Sequence, residues 1–442
     1  MARTNIKPKS TEVTHEGGPA VSGLKPIEQL KRSLLSCFLF EKEFYEDGVS
    51  IADRIRATAE LCRPEEVAAL AVTARQVHNL RHAPLLLLEV LSRTGAGKPG
   101  LVSGAIVNTI QRADELAEFL AIYSGAKRKP LSAQVKKGLA TAFGKFNEYA
   151  LAKYDRSGKF RLRDVLFLCH AKPKDNEQKA LWERLINNQL VAPDTWEVAL
   201  SGGADKKETF ERLMRKGQLG YLALLRNLRN MEQAGVDRDL IKAALLARKG
   251  AQRVLPFRYV AAARAAPQLE PVIDQALCTA IAEMPTFAGR TGVLVDVSGS
   301  MDDPLSSRSD MKRIDAAAAL AAIINAEDIT VATFSNSLVI VPPRRGMAGV
   351  DAVIDSQSHQ GTLLGQALSA FEGAQKTPFD RLIVITDEQS HDAVRAPKSK
   401  CSYLINVASA KNGVGYRNGW THIDGFSDGV IKYIHAIESD MH

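Results

Sequence analysis

Residues 293–300 read Val-Leu-Val-Asp-Val-Ser-Gly-Ser, an apolar run that stops on three oxygen-bearing side chains, Asp296, Ser298 and Ser300. An uninterrupted apolar run suits a strand covered on both faces, as in a parallel sheet. In open α/β sheets, sites form beyond the carboxyl ends of such strands. One carboxylate and two hydroxyls are hard donors, and they suit Mg²⁺, which keeps several waters and takes few protein ligands. The same residues taken alone would also serve as a helix cap.

The Asp-x-Ser-x-Ser spacing resembles the first loop of the metal-ion-dependent adhesion site of von Willebrand factor A domains. That family places a Thr on a second loop and an Asp after a later buried strand. Here Gly361-Thr362-Leu363 precedes a helical stretch, and Arg381-Leu-Ile-Val-Ile-Thr386 ends on Asp387. The resemblance therefore implies a metal site of Asp296, Ser298, Ser300, Thr362 and Asp387, holding Mg²⁺ or another divalent cation. No Gly-x-Ser-x-Gly elbow surrounds Ser298, and an adhesion-type site receives a partner's carboxylate, so no catalytic residue is expected and the chain reads as not an enzyme.

The elements that must position these residues follow from patterning. From Thr291 onward, apolar strands alternate with helices (291–297, 312–326, 329–334, 337–341, 348–356, 363–374, 380–386, 401–407 and 427–438), which implies right-handed crossovers and a doubly wound, mostly parallel sheet. From Pro26 to about Met284 the spacing is helical almost throughout. It predicts helices near 83–93, 104–122, 132–154, 163–170, 176–190, 206–216, 218–234, 237–249, 256–265 and 271–283. Many helices with short polar connections suggest an α-solenoid of stacked pairs. Three parts are expected: a mobile polar tail over 1–22, a helical domain over 23–286 and an A-type domain over 287–442.

Composition excludes several classes. The chain has 442 residues, five scattered cysteines and no CxxC pair, which argues against a disulfide framework or zinc site and for a cytoplasmic setting. No apolar stretch approaches membrane-spanning length, and the first ten residues lack the apolar core of a secretory signal. Charge is unevenly divided. From Ala288 onward 14 basic and 18 acidic side chains leave a balance of −4, whereas the preceding 287 residues carry 44 and 32, or +12. A basic helical half points to nucleic acid.

The densest cations lie around one segment: Lys153, Arg156, Lys159, Arg161, Arg163, His170, Lys172 and Lys174. Such density can neutralise several phosphates, although a merely solvated surface has the same composition. Aromatic residues are 6% of the chain, which favours tracking of the backbone over base stacking. Arg226 and Arg229, three apart on a predicted helix, are further RNA candidates, or partners in an ion pair. His78 and His82 are four apart but lack the Glu of a zinc hydrolase motif, and Gly95-Ala-Gly-Lys-Pro-Gly100 has Pro99 where a phosphate loop needs Ser or Thr. These read as a helix-surface pair and a turn.

Leu162-Arg-Asp-Val-Leu-Phe-Leu-Cys-His-Ala-Lys-Pro173 and Gly220-Tyr-Leu-Ala-Leu-Leu-Arg-Asn-Leu-Arg-Asn230 resemble signatures of TROVE domains, and Arg81-His-Ala-Pro-Leu-Leu86 is similar to a third. A TROVE domain followed by a von Willebrand factor A domain is the order of the Ro autoantigen family. The resemblance implies a HEAT-like helical ring, monomeric in that family's manner, with the A domain joining its ends. It implies binding of small noncoding Y-like RNA on the outer surface and of misfolded, 3′-tailed RNA through a central hole. It also implies an RNA quality-control role beside the exoribonuclease polynucleotide phosphorylase. Family RNA contacts map onto Lys153 and His170, and a family arginine aligns with Ser157, beside Arg156 and Lys159. The rival reading is a metal-dependent protein-interaction module on a helical scaffold.

Overall fold

The structure is a computed structural model that describes residues 25–36, 48–125, 130–155, 157–254, 257–305, 311–408 and 419–424, with scattered positions in 430–438. The tail over 1–22, Arg156 and most of the helix expected over 427–438 lie outside the described residues.

Helices come first: α1 Pro26–Ser36, α2 Gly48–Glu60, α3 Pro64–Gln76, α4 Ala83–Thr94, α5 Leu101–Thr109, α6 Ala113–Ser124, α7 Ala133–Phe143 and α8 Glu148–Tyr154. Then follow α9 Leu162–Cys169, α10 Asn176–Ile186, α11 Trp196–Ser201, α12 Lys206–Arg215, α13 Tyr221–Gln233, α14 Arg238–Ala247, α15 Phe257–Ala265 and α16 Glu270–Ala282. Side-chain oxygens close many of their first turns. Asn147 accepts from Ala150 N at 3.0 Å, Asp175 from Gln178 N at 2.7 Å and Asp205 from Glu208 N at 2.8 Å. Each satisfies an amide that the helix itself leaves without a partner.

The expected helix over 104–122 is two. Arg112 interrupts it because the Glu115 carboxylate accepts from the amides of Gln111 (2.8 Å) and Arg112 (3.1 Å), which starts α6 afresh. The stretch 132–154 divides likewise, at Gly144–Asn147. His78 and His82 lie in the connection between α3 and α4 rather than on one helix face, which corrects the helix-surface reading. Gly95–Gly100 is indeed a turn.

The helices stack in two layers. One runs α1, α3, α5, α7, α9, and the other α2, α4, α6, each touching the next. This is the packing of a solenoid. Ion pairs stitch successive pairs together: Arg75 meets Glu115 at 2.9 Å, with the Glu115 side chain fully buried. Arg81, from the TROVE-like Arg81-His82 segment, bridges Asp114 and Glu118 on α6. Arg75→Ala strands the Glu115 carboxylate and is expected to cost about 3 kcal/mol. Urea unfolding followed by circular dichroism measures this, and an unmoved midpoint would contradict it.

The α/β part contains β1 Phe287–Asp296, α17 Arg313–Ile323, β2 Ala326–Phe334, β3 Leu338–Val341, α18 Gly346–Ile354, α19 Leu364–Gly373, β4 Arg381–Thr386, β5 Cys401–Asn406 and β6 Thr421–Asp424. The sheet order is β3-β2-β1-β4-β5-β6, with only β3 antiparallel. Val293 and Val295 of β1 face one core and Leu294 the other, so helices cover both sides. Gly292 lets the Phe379 ring lie against β1, where a Cβ would come within 2.7 Å of it.

Cores divide the chain differently from the change of texture. One apolar cluster holds residues from Leu30 to Leu185, and another runs from Phe210 through the sheet to Ile434. Solenoid stacking continues across Pro285, since α15 packs on α17 and α16 on α18. Asp274 of α16 accepts from Met347 N at 2.7 Å, and Gly346 there has φ 65°, with no room for a side chain beside Asp274. At the far end α1 packs on β6, so the chain's helical array returns onto the sheet. A helical solenoid joined at both ends to an α/β domain is the architecture expected of a ring.

Candidate metal centre and nucleic-acid interface

Sheet order reverses between β1 and β4, the switch point where open sheets place their sites. Asp296 ends β1, and Asp387 follows β4 directly. Both carboxylates, Ser298 and Thr362 are buried, and Ser300 is half-buried. Three backbone ties assemble the loops. Gly299 N donates to Gln360 O at 2.7 Å, Leu363 N to Ser335 O at 3.0 Å and His391 N to Thr362 O at 3.0 Å. Asp392 caps α19 through the amides of Gly365 (2.9 Å) and Gln366 (2.8 Å), which holds the Asp387 loop against the Thr362 loop. All five residues named from the sequence are thereby gathered at one end of the sheet.

Within the cluster, Asp296 accepts from Ser298 N at 2.9 Å and Thr386 Oγ1 at 2.6 Å, and the Ser298 and Ser300 hydroxyls are 3.3 Å apart. Asp387 accepts from Gln389 N at 3.1 Å. Sequence reasoning missed Arg313, the first residue of α17, whose buried guanidinium stands 3.8 Å from Asp387 and 4.0 Å from Asp303. It missed too the buried pair of Glu388 with His422 on β6, where Glu388 turns the chain at φ 62°. No spacing in the sequence signals either contact.

Burial and the neighbouring Asp387 carboxylate push the Asp296 carboxyl well above the usual carboxylate range. Two buried carboxylates with hydroxyl neighbours fit a hard divalent cation. Such an ion would be held by Asp296, Ser298, Ser300, Thr362 and Asp387, and would supply an open position for an acidic ligand. Because Asp296 is raised in the folded state, it favours folding at low pH and loses that contribution as pH rises through its folded value. Divalent-free protein is thus expected to lose stability on leaving the ordinary carboxylate range of about pH 4. Melting in chelator across pH checks this, and Asp296→Asn should flatten the profile. A flat wild-type profile would contradict it.

The basic segment occupies α8, α9 and the start of α10. Lys153 Nζ lies 5.7 Å from the ring centres of both Tyr149 and Tyr154. Arg161 is held by Asp155 at the start of α9, and Lys159 donates to the Gly125 carbonyl. Those two serve the fold as well as the surface charge. Arg163, half-buried, and the exposed His170 and Lys172 make no ion pair with any described residue, while the exposed Lys174 meets only its neighbour Asp175 at 3.7 Å. His170 ends α9 with φ 54°. Arg226 and Arg229 are exposed on α13, within the half built on the other core. Arg229 Nε reaches Ala265 O at 3.5 Å, and neither forms an ion pair with any described residue.

Comparison with known proteins decides the fold. The crystal structure of the Deinococcus radiodurans Ro (RSR) protein superposes with a TM-score of 0.66, covering 93% of this chain and 99% of that one at 16% identity. This chain has the Ro fold. Residues 184–276 match the model of the TROVE domain. They span the end of α10 through most of α16, and of these α11 to α16 pack in the core that includes the sheet. The likeness to TROVE and Ro proteins first carried by short motifs is thus found again in a family model and in the whole fold. Among the described residues, no helix is long and apolar enough to cross a membrane.

Proposed function

We propose that this chain is an RNA-binding protein of the Ro type, cytoplasmic and non-catalytic. The surface of α8 to α10 holds a small structured, Y-like RNA through its phosphates. Misfolded RNA with a single-stranded 3′ end is a second ligand, passing through the centre of the helical ring and handed to an exoribonuclease of the polynucleotide phosphorylase kind. The observation that carries this is the set Arg163, His170, Lys172 and Lys174, exposed or half-exposed on a helical surface and, among the described residues, without long-range acidic partners, in a chain of Ro fold. A rigid cationic surface recognises A-form RNA by shape and backbone, since its base edges are hidden.

The A-type domain contributes a Mg²⁺ site that takes an acidic side chain of a partner. The hard donor set supports this. The rival, a metal-dependent interaction module on an inert scaffold, shares the metal site and differs in RNA. Sequencing of RNA that co-purifies with the full chain separates them. One small structured RNA enriched over total RNA is expected; a sample resembling total RNA would favour the rival. Incubating labelled RNA with the purified chain and Mg²⁺ should leave it uncut.

A further inference from the structure

Helix α9 buries Leu162, Val165, Leu166 and Cys169, which fixes its inward face. Arg163, Phe167 and His170, spaced by four and three residues, therefore share an outward stripe. Phe167 is 56% exposed, and Leu168 beside it 42%. Neither contributes to a core; Arg163 and His170 share the stripe, and Lys172 and Lys174 follow just beyond the helix end. Tyr149 repeats the arrangement on α8, being 52% exposed with Lys153 Nζ 5.7 Å from its ring centre. Helices α8 and α9 both pack on α6 and α10, so the two ring-and-cation units stand on neighbouring supports.

An apolar ring hemmed by cations is a poor seat for an apolar protein surface, which would strip water from the charges without pairing them. It suits an unpaired nucleobase, which brings a π face for the ring and phosphates for the cations. We infer that Phe167, with Tyr149 as a second ring, forms a subsite that stacks unpaired bases of RNA whose phosphates are held by Arg163, His170 and Lys172. The subsite rests on the RNA reading above and refines its ligand: loops, bulges or tails, in preference to uninterrupted duplex. It also modifies the expectation, drawn from the low aromatic content, that stacking plays little part. What counts is where the few aromatics stand.

The test uses the full chain and three RNA probes: a hairpin with an unpaired loop, the same hairpin with abasic loop positions, and a blunt duplex of equal length. Phe167→Ala is expected to weaken the intact hairpin about tenfold and to leave the other two unchanged, with Phe167→Trp retaining the preference. Arg163→Ala should weaken all three. Wild-type binding that depends on salt, with Phe167→Ala unaltered or equally weak on every probe, overturns the subsite alone. A wild-type chain that binds none of the probes overturns the RNA reading and the subsite with it. Unchanged RNA affinity together with loss of a dimer in Phe167→Ala would assign the patch to a second copy and equally overturn the proposal.

Discussion

Asp387→Asn is expected to abolish the rise in melting temperature that excess Mg²⁺ gives the wild-type chain. A ligand present at about a hundred times its Kd stabilises by about 2.7 kcal/mol, so the wild-type shift is large enough to measure. Asn keeps the volume of the side chain and its bond from Gln389 N but removes one of the two buried charges that attract the cation. Ser298→Ala and Thr362→Ala remove neutral donors and should lessen the shift without erasing it. An Mg²⁺ shift of wild-type size in Asp387→Asn would contradict the assignment of the site.

Replacing Lys153, Arg163, His170 and Lys172 together by alanine should weaken binding of a small structured RNA on the order of a hundredfold at low salt. Three of the four are permanent cations, so the slope of log affinity against log salt should fall by about three. Among the described residues no acid pairs with their head groups, so the melting temperature is expected to stay close to wild type. Replacing Arg161 is a poorer test, because its ion pair with Asp155 helps to start α9. Arg226 and Arg229, on α13, should be left for probes with a single-stranded 3′ end. An unaltered affinity in the fourfold variant would remove this surface from RNA binding.

Elements governed by local chemistry were legible in the sequence. The apolar run into Asp296 marks β1 because both faces of a central parallel strand are covered, and β4 reads the same way before Asp387. Asp296 and Asp387 stand at strand ends that the apolar runs reveal, whereas Thr362, on the loop before α19, was named only through the resemblance to A domains. The breaks at Arg112 and Gly144 were hidden, since apolar periodicity continues through them while a carboxylate or an Asn cap ends one helix and starts another. Six-residue α11 and four-residue β6 are too short to show a period. The core boundary falls near residues 186–209 rather than at Pro285, because cores are set by which helices stack, and no residue near Pro285 reports that α15 and α16 continue onto α17 and α18. Arg313, and the pairing of Glu388 with His422, escaped for the same reason: each joins segments far apart in sequence.

RNA binding across salt tests the central claim most directly. Filter binding of the full chain to a structured RNA with a free 3′ tail should give log affinity that falls linearly with log salt, steeply enough to report several neutralised phosphates. Weak binding of the same strength at every ionic strength would contradict it, and would leave the helical array a scaffold for the metal site alone.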